Sequence, residues 1–246
     1  MKQITSIREG VENLLKIKEI TNAPTWEIVK ASNGELYDTV LVDGKAYPLF
    51  WWRYNSQQAA IRSNAKTIQC VTAKLNLCCD KTEGIDRLMF REFDLAEWFM
   101  YSKIKYFNAF IKNSSANILA TMENENAVQI ELGATLPEGC EDQGKHTVWG
   151  KNGMLGDRVV SEKLRQQSLY VFTDSPRPYL YSDNTYDLYG LNRYEVDVAT
   201  TIYHILIGNV NLQEWQECAK RLTEYVRLSH VSNNEVRKIN ASEVVL

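Results

Sequence analysis

The chain has 246 residues, with 28 basic and 31 acidic side chains and a formal net charge of −3 at pH 7. Its hydrophobic fraction of 44% and charged fraction of 24% are typical of a globular protein and exclude a disordered or collagen-like chain. The weak negative charge and the absence of a Lys/Arg run predict no nucleic-acid partner, because binding to a phosphate backbone needs a clustered positive face.

Membrane-spanning and secretory patterns, together with cysteine spacing, indicate the expected location of the protein. No apolar run approaches the roughly 18 residues that span a bilayer, and the opening sequence MKQITSIREG lacks the apolar core of a secretory signal. We therefore expect a cytoplasmic protein with no membrane partner. The five cysteines are an odd number and only Cys78 and Cys79 are adjacent, so their spacing predicts neither a disulfide framework nor a metal site.

The N-terminal part predicts one helix followed by short strands. A helix is indicated by apolar residues at steps of three and four, namely Ile4, Ile7, Val11 and Leu14. The pattern from Ser6 to Glu9 is that of a capping box. From Trp26 to Phe50 the pattern favours two or three antiparallel strands, with tight hairpins at Asn33-Gly34 and Asp43-Gly44 because these dipeptides tolerate positive φ.

The middle of the chain predicts a strand, a helix and a long strand-rich block. The strand covers Thr67 to Leu75, the helix covers Asp86 to Tyr101, and the strand-rich block runs from Ile104 to Thr173. The inner face of the helix would carry Met89, Phe93, Ala96 and Met100. Within the block, Ala127 to Thr135 alternates apolar and polar residues, which predicts one buried face, and Lys151-Asn152-Gly153 predicts a turn.

The C-terminal part predicts two helices. Asn192 with Glu195 begins one that stops near Gly208, and Asn211 with Glu214 begins another. The buried stripe of the second would be Trp215, Cys218, Leu222 and Tyr225. Strands in series with helices at the flanks favour an α+β fold with a large, mainly antiparallel sheet and helices packed on one face, preceded by the N-terminal helix and hairpin.

Several short motifs occur in an order that is found in a known enzyme family. They are Arg53-Tyr54-Asn55, REFDLAEWF (91–99), the strand pair 117–136, KHTVWGKNGMLGDRVVS (145–161), QQSLYVFT (166–173) and DLYGLNRYEVD (187–197). Together they resemble the C-terminal domain of the Gfo/Idh/MocA family of NAD(P)-dependent oxidoreductases, which act on sugars and polyols. The resemblance covers roughly residues 45 to 240 and implies a C-terminal-like α+β domain at 45–246 with an appendage at 1–44. It also implies that the open face of the sheet pairs subunits.

The N-terminal nucleotide-binding (Rossmann) domain of that family has no counterpart in this sequence. No G-x-G-x-x-G occurs, and the glycine cluster from Gly150 to Gly156 has the wrong spacing. Only some 45 residues precede the family-like region, and the family's Glu-Lys-Pro motif is missing. We therefore expect no cofactor in the isolated chain, and NAD(P) only if a partner domain supplies it.

The family's catalytic histidine is also replaced. Family enzymes carry an aspartate and, four residues later, a histidine that exchanges a proton with the substrate hydroxyl. Matching Asp94 and Trp98 to the family's helix places Arg91 in the histidine slot and Arg87 in the aspartate slot, with Asp86 one residue away. Because an arginine side chain stays protonated near neutral pH, this slot predicts no acid–base catalysis.

Four polar residues remain candidates for substrate binding, with no catalytic residue assigned: Arg91, Asp94, His146 and Arg53. The competing interpretation gives Arg91 and Asp94 a capping or surface role, and His146 a strand position satisfied by a neighbouring carbonyl. His204 is expected to pack within its helix.

The aromatic run Phe50-Trp51-Trp52 has two interpretations, a sugar-stacking or subunit surface and a strand buried on both faces. The residues expected at an interface are Trp51, Trp52, Tyr170 and Trp149.

The sequence therefore predicts a non-catalytic, dimerising or partner subunit related to sugar and polyol dehydrogenases. It would pair with itself or with a full-length family dehydrogenase through the sheet face. Two alternatives stay open: an active oxidoreductase or isomerase whose cofactor comes from a partner chain, and a small-ligand binding module.

Overall fold

A computed structural model describes residues 2–32, 34–140, 142–157, 168–172, 179–182, 191–232 and 235–238. These residues form five α-helices: α1 Lys2–Ile17, α2 Ser56–Ala65, α3 Ile85–Met100, α4 Arg193–Leu206 and α5 Leu212–Ser232. They also form twelve strands: β1 Trp26–Val29, β2 Thr39–Val42, β3 Lys45–Pro48, β4 Cys70–Asp80, β5 Ile104–Lys112, β6 Ser115–Met122, β7 Ala127–Leu136, β8 Gln143–Gly150, β9 Gly153–Gly156, β10 Ser168–Phe172, β11 Tyr179–Ser182 and β12 Arg237–Lys238. None of the helices in these ranges has the length and apolar character that a membrane span requires.

The chain divides into two compact units. The first comprises Met1–Gln58 and Asp183–Ala219, and the second comprises Ala59–Ser182 and Lys220–Leu246. The division predicted from the sequence, between residues 44 and 45, stays a prediction.

In the first unit, helix α1 packs closely on α4. Gly10 allows this approach, because a Cβ added there would lie 2.9 Å from Cδ1 of Leu191 and 3.4 Å from Cβ of Ala199. The predicted helix is confirmed, but the predicted capping box is wrong. The helix begins at Lys2, so Ser6 lies inside it.

Strands β1, β2 and β3 form an antiparallel sheet in the order β1-β2-β3. The predicted hairpin at Asp43-Gly44 is confirmed, with φ values of 47° and 76° at the two turn residues. The tight hairpin expected at Asn33-Gly34 is wrong, because β1 ends at Val29 and β2 begins only at Thr39; Asn33 itself lies outside the described residues. Asp38 closes this longer loop, accepting hydrogen bonds from Ala31 N at 3.0 Å and Lys30 Nζ at 2.6 Å.

Helix α4 begins with the predicted capping box. The Asn192 side chain accepts from Glu195 N at 2.9 Å, and the Glu195 side chain accepts from Asn192 N at 2.9 Å. Helix α5 begins after Asn211, whose side chain accepts from Glu214 N at 3.2 Å. The predicted stripe of this helix is buried and therefore confirmed: Trp215, Cys218, Leu222 and Tyr225.

Two local predictions around residue 55 differ from the structure. One of the two interpretations of the aromatic run, a strand buried on both faces, is wrong, because Trp51–Tyr54 forms a 3-10 turn. The polar stretch that follows forms helix α2, for which no helix was predicted. Asn55 starts this helix because its side chain accepts from the backbone N–H groups of Gln57 and Gln58 at 3.1 and 3.2 Å.

The second unit is built on a nine-stranded sheet in the order β11-β10-β9-β8-β4-β7-β6-β5-β12. Every neighbouring pair is antiparallel except β4 with β7, which is parallel. The predicted α+β fold with a large, mainly antiparallel sheet is therefore confirmed.

Helix α3 covers one side of this sheet, which we call the inner face. The predicted alternation in β7 is confirmed, since its inward residues are buried: Val128, Ile130, Leu132 and Ala134. The predicted inner stripe of α3 is also buried: Met89, Phe93, Ala96 and Met100. The Phe93 ring contacts the rings of Phe107 and Tyr225 at centroid distances of 5.6 and 5.7 Å. The opposite side of the sheet, which we call the outer face, carries the alternate residues of the same strands.

Candidate functional site

The most unusual polar arrangement of the second unit surrounds His146. This residue points from β8 to the inner face and is only 2% exposed. Its Nδ1 lies 2.6 Å from Oδ2 of Asp157, and its Nε2 lies 3.0 Å from Oε2 of Glu92 on α3. The imidazole is therefore held between two buried carboxyl groups.

The β8–β9 hairpin positions Asp157 beside the histidine. His146 N donates to Oδ1 of Asp157 at 2.7 Å, and Asp157 N donates to the His146 carbonyl at 3.2 Å. The predicted turn at Lys151-Asn152-Gly153 is confirmed as the hairpin turn. Gly150 lies at its base, where the backbone of Ile68 occupies the space that a Cβ would need.

The surrounding charges fix the protonation state of the imidazole. Burial by itself would lower the pKa of His146, but the negative charges of Glu92 and Asp157 outweigh it and raise that pKa to about 10. The side chain is therefore a cation at neutral pH. A general acid or base works best with a pKa near the operating pH, so this histidine is suited to holding charge in place and not to exchanging protons.

Arg91 extends the same cluster. Its Nε lies 3.4 Å from Oε1 of Glu92, and its Nη1 lies 3.3 Å from Oδ2 of Asp142. Burial opposes the charged form, but Glu92 and Asp142 prevail and raise the pKa of this guanidinium above its usual value. The residue that the resemblance places at the histidine position thus links the buried Glu92 to Asp142, whose side chain is 46% exposed.

Another buried carboxylate on α3, that of Glu97, contacts three other parts of the second unit. Glu97 accepts from Arg221 Nη2 at 2.8 Å, from the Tyr225 hydroxyl at 2.9 Å and from Ile104 N at 3.0 Å. These contacts tie α3 to α5 and to the start of β5. Within the ranges that the structure describes, no group of three or more His, Cys, Asp or Glu side chains has the geometry to hold a metal ion.

The structure brings two of the four candidate binding residues together, since Arg91 and His146 both contact Glu92. Asp94 lies on the same helix and is fully buried. His146 lies on a strand as the competing interpretation expected, but the carbonyl partner named there is wrong, because both ring nitrogens contact carboxylates. The substrate-binding roles of these residues stay predictions.

Arg53 belongs to the first unit. Its guanidinium lies 4.6 Å from the centroid of the Phe50 ring and donates to Sγ of Cys218 at 3.3 Å. His204 packs within the same unit, as predicted, with its ring stacked on Tyr54 at 4.6 Å. Burial lowers the pKa of this histidine.

The four residues expected at an interface occupy different environments. Trp149 lies on the outer face and is 37% exposed. Trp51 is half-buried against Trp52 and Tyr194, and Trp52 is only 5% exposed and offers little area to a partner. Tyr170 lies on β10, but its side chain is outside the described residues.

Sequence reasoning missed the carboxylates that organise the inner face. Glu92 contacts His146, which is 54 residues away, and Glu97 contacts Tyr225, which is 128 residues away. One signal was present: Glu92 and Glu97 interrupt an otherwise apolar surface of α3, and a buried charge requires a dedicated partner. Which residues are those partners depends on how the strands pair and on how α3 packs against them, and the sequence of α3 alone does not show this.

Solved structures share this fold. An oxidoreductase from Agrobacterium radiobacter in complex with NAD+, L-tartaric acid and magnesium matches with a TM-score of 0.61 and 11% identity, covering 78% of this chain and 64% of that chain. A scyllo-inositol dehydrogenase from Lactobacillus casei with bound NAD(H) and scyllo-inositol matches with a TM-score of 0.54 and 13% identity, covering 77% and 63%. A levoglucosan dehydrogenase in complex with NADH and levoglucosan matches with a TM-score of 0.57 and 10% identity, covering 77% and 65%.

These neighbours are Gfo/Idh/MocA-type oxidoreductases, so the resemblance predicted from the sequence is confirmed for the fold. No protein-family model matches the chain, and no curated protein matches it. The chain spans less than two thirds of the length of the structures just described. At such low identity the likeness establishes an oxidoreductase-like fold similar to that of sugar dehydrogenases.

Proposed function

We propose that this protein is a non-catalytic subunit, related in fold to sugar dehydrogenases, that pairs with a second copy through the outer face of its nine-stranded sheet. The observation that carries the proposal is the exposure of large apolar side chains on that face. Leu119 on β6 is 59% exposed, and Phe110 on the neighbouring strand β5 is 46% exposed.

Exposed apolar residues on the face of a sheet favour a partner. Water contact with such residues is unfavourable by roughly 25 cal/mol per Å² of apolar surface. Apolar side chains that are exposed together on one face commonly mark an interaction site, and Leu119 and Phe110 lie on neighbouring strands of this face. Together with Trp149, Leu119 and Phe110 give this face aromatic and aliphatic anchors of the kind found at subunit interfaces.

The inner-face network supports the non-catalytic part of the proposal. Arg91 occupies the slot in which the family resemblance places an acid–base histidine, and it pairs with Glu92 and Asp142. His146 is a buried cation with a pKa of about 10. Neither group is suited to take a proton from a substrate hydroxyl and return it near neutral pH.

A nucleotide titration tests the non-catalytic role. NADH and NADPH fluorescence would be followed on adding the purified chain, alone and mixed with a full-length sugar dehydrogenase of this fold. We expect no saturable change with the isolated chain and no turnover that depends on it in the mixture. Saturable binding by the chain alone, or turnover that only the mixture shows, would contradict the proposal.

A matched pair of variants tests the interface. Leu119→Lys places a charge on the outer face, and Val231→Lys places the same charge at a 55% exposed position on α5. We expect Leu119→Lys to weaken self-association at least tenfold and Val231→Lys to leave it unchanged, measured by sedimentation equilibrium. Equal behaviour of the two variants would locate the interface elsewhere.

A further inference from the structure

A half-buried arginine of the first unit contacts only neutral groups. Arg193 is the first residue of α4, and its Nη2 donates to Oδ1 of Asn55 at 2.9 Å and to Oε1 of Gln57. Among the residues that the structure describes, its side chain forms no ion pair and no further hydrogen bond. A guanidinium that is partly shielded from water usually pairs with an anion, and this one has no such partner in the described part of the chain.

Gln57 places a buried donor beside this cation. Its side chain is only 4% exposed, and its Nε2 has no hydrogen-bond partner among the described residues. Since Nε2 and Oε1 belong to one amide group, Nε2 lies next to the guanidinium that Oε1 contacts. The opposite orientation of the amide would set its NH2 group against the guanidinium. A buried donor without an acceptor costs free energy, so an acceptor at this point would stabilise the structure.

Two helices begin at the same place. Helix α4 begins at Arg193, and helix α2 begins at Ser56. Asn55 joins the two starts, because its Oδ1 accepts from the backbone N–H groups of Gln57 and Gln58 as well as from Arg193. The N-terminal end of a helix carries a partial positive charge and favours anions. Donors from a guanidinium, an amide and two helix starts are therefore gathered in one place.

The two carboxylates in the first turns of α4 are engaged elsewhere. Residues four positions apart on a helix often form an ion pair, but Asn55 separates Arg193 from Asp197. Its Nδ2 donates to Oδ2 of Asp197 at 2.8 Å, while its Oδ1 accepts from Arg193. The Glu195 carboxylate accepts from the backbone N–H of Asn192 at 2.9 Å. Neither carboxylate therefore pairs with the guanidinium.

We propose that Asn55, Gln57 and Arg193, which we call the Arg193 cluster, bind an oxyanion, namely the phosphate or carboxylate group of a small ligand. The anion pairs with the guanidinium through charge-assisted hydrogen bonds and accepts from Gln57 Nε2. A trapped water molecule would satisfy the Gln57 donor but would leave the guanidinium without a counter-charge. The inference goes beyond the proposed self-pairing, because the cluster belongs to the first unit and the outer face belongs to the second.

Anion titration of the full chain tests the Arg193 cluster. Inorganic phosphate and sodium acetate would be titrated separately at constant ionic strength and followed by isothermal titration calorimetry. We expect saturable binding of at least one of the two anions, with one site per chain. Tighter binding of phosphate would assign a phosphorylated ligand, and tighter binding of acetate would assign a carboxylate ligand.

A matched pair of variants locates the bound anion. Gln57→Glu replaces the buried donor with a carboxylate oxygen beside Arg193, so anion affinity should fall by about tenfold or more. Asn13→Asp adds the same charge at an exposed position of α1 and should leave the affinity unchanged. Circular dichroism would confirm that both variants fold. If Gln57→Glu does not fold, Gln57→Met removes the same donor without adding charge and should lower the affinity several-fold.

Two results would overturn the inference. The first is the absence of saturable binding of either anion by the wild-type chain. The second is equal affinity of the wild type and the folded Gln57 variant, because the anion would then bind at another part of the chain. Neither result bears on self-pairing, which the native mass of the chain tests separately.

Discussion

The two faces of the nine-stranded sheet hold their polar groups in opposite ways. On the inner face, His146 is buried between Glu92 and Asp157. On the outer face, Glu131 is about one third exposed and is contacted by Lys74, which is 38% exposed. One alternating strand pattern thus produces a locked ionic network on one side and an open polar surface on the other.

The difference shows what each face contributes. Buried charges cost desolvation energy and need well-placed partners of opposite charge, so the contacts of His146 with Glu92 and Asp157 fix how α3 and the β8–β9 hairpin pack. Half-exposed charges are screened by solvent and contribute little to folding. They remain available to a second molecule, together with the exposed apolar side chains beside them.

Removing the central cation of the inner face should have the largest effect. His146→Ala leaves Glu92 and Asp157 buried close together without the positive charge between them, so we expect a loss of about 3–5 kcal/mol in unfolding free energy. Lys145→Ala, the next residue on the same strand but on the outer face, should change it by less than about 0.5 kcal/mol. Urea denaturation compares the two, and equal losses would remove the distinction between the faces.

The inner network should also weaken at alkaline pH. The pKa of His146 in the folded chain is about 10, above its ordinary value of 6.5, so the folded state binds this proton more tightly than the unfolded state. Its contribution is complete below the unfolded pKa and is lost as pH rises through about 10. The difference in unfolding free energy between wild type and His146→Gln should therefore shrink from neutral pH toward pH 10. If the difference between wild type and His146→Gln stayed constant over this pH range, the raised pKa of His146 would be contradicted.

A smaller inner-face effect is expected at Glu97. Tyr225→Phe removes one hydrogen bond of 2.9 Å to this buried carboxylate while leaving Arg221 and Ile104 N in place. We expect a loss of about 1–2 kcal/mol in unfolding free energy. Tyr47→Phe, a half-buried tyrosine on β3, serves as the control and should stay within about 0.5 kcal/mol. A Tyr225 variant that behaves like this control would argue against the hydrogen bond.

The smallest stability effect is expected on the outer face. Glu131→Gln removes the negative charge that contacts Lys74. Because both side chains are about one third exposed, the unfolding free energy of the dilute monomer should change by less than about 1 kcal/mol. The same variant should weaken self-association, as seen in the concentration dependence of sedimentation. If Glu131→Gln lowered the unfolding free energy as much as His146→Ala, the outer face would be buried in the folded monomer.

Local sequence patterns predicted much of the fold because they act over short distances. The alternation in β7 predicted its buried residues, and Asn192 with Glu195 predicted the start of α4. The order of motifs predicted an oxidoreductase-like fold that the solved structures confirm. Helix α2 was missed because only Ile61 is strongly apolar in SQQAAIRSNA, which leaves a weak periodic signal.

The site was harder to predict because tertiary structure assembles it. Glu92 and His146 are 54 residues apart, and only the packing of α3 on β8 brings them within 3.0 Å. The sequence pointed to His146 and Arg91 separately, but not to the carboxylates that fix their charge. The aromatic run left a buried strand open as one interpretation because bulky residues favour strands, but Trp51–Tyr54 forms a 3-10 turn.

The native mass of the wild-type chain tests the central claim most directly. One chain has a mass of 28.3 kDa. Sedimentation equilibrium at micromolar concentration should give twice that mass, with dissociation on dilution and in Leu119→Lys. A mass of one chain at every concentration would contradict the assignment of the outer face as a self-pairing surface.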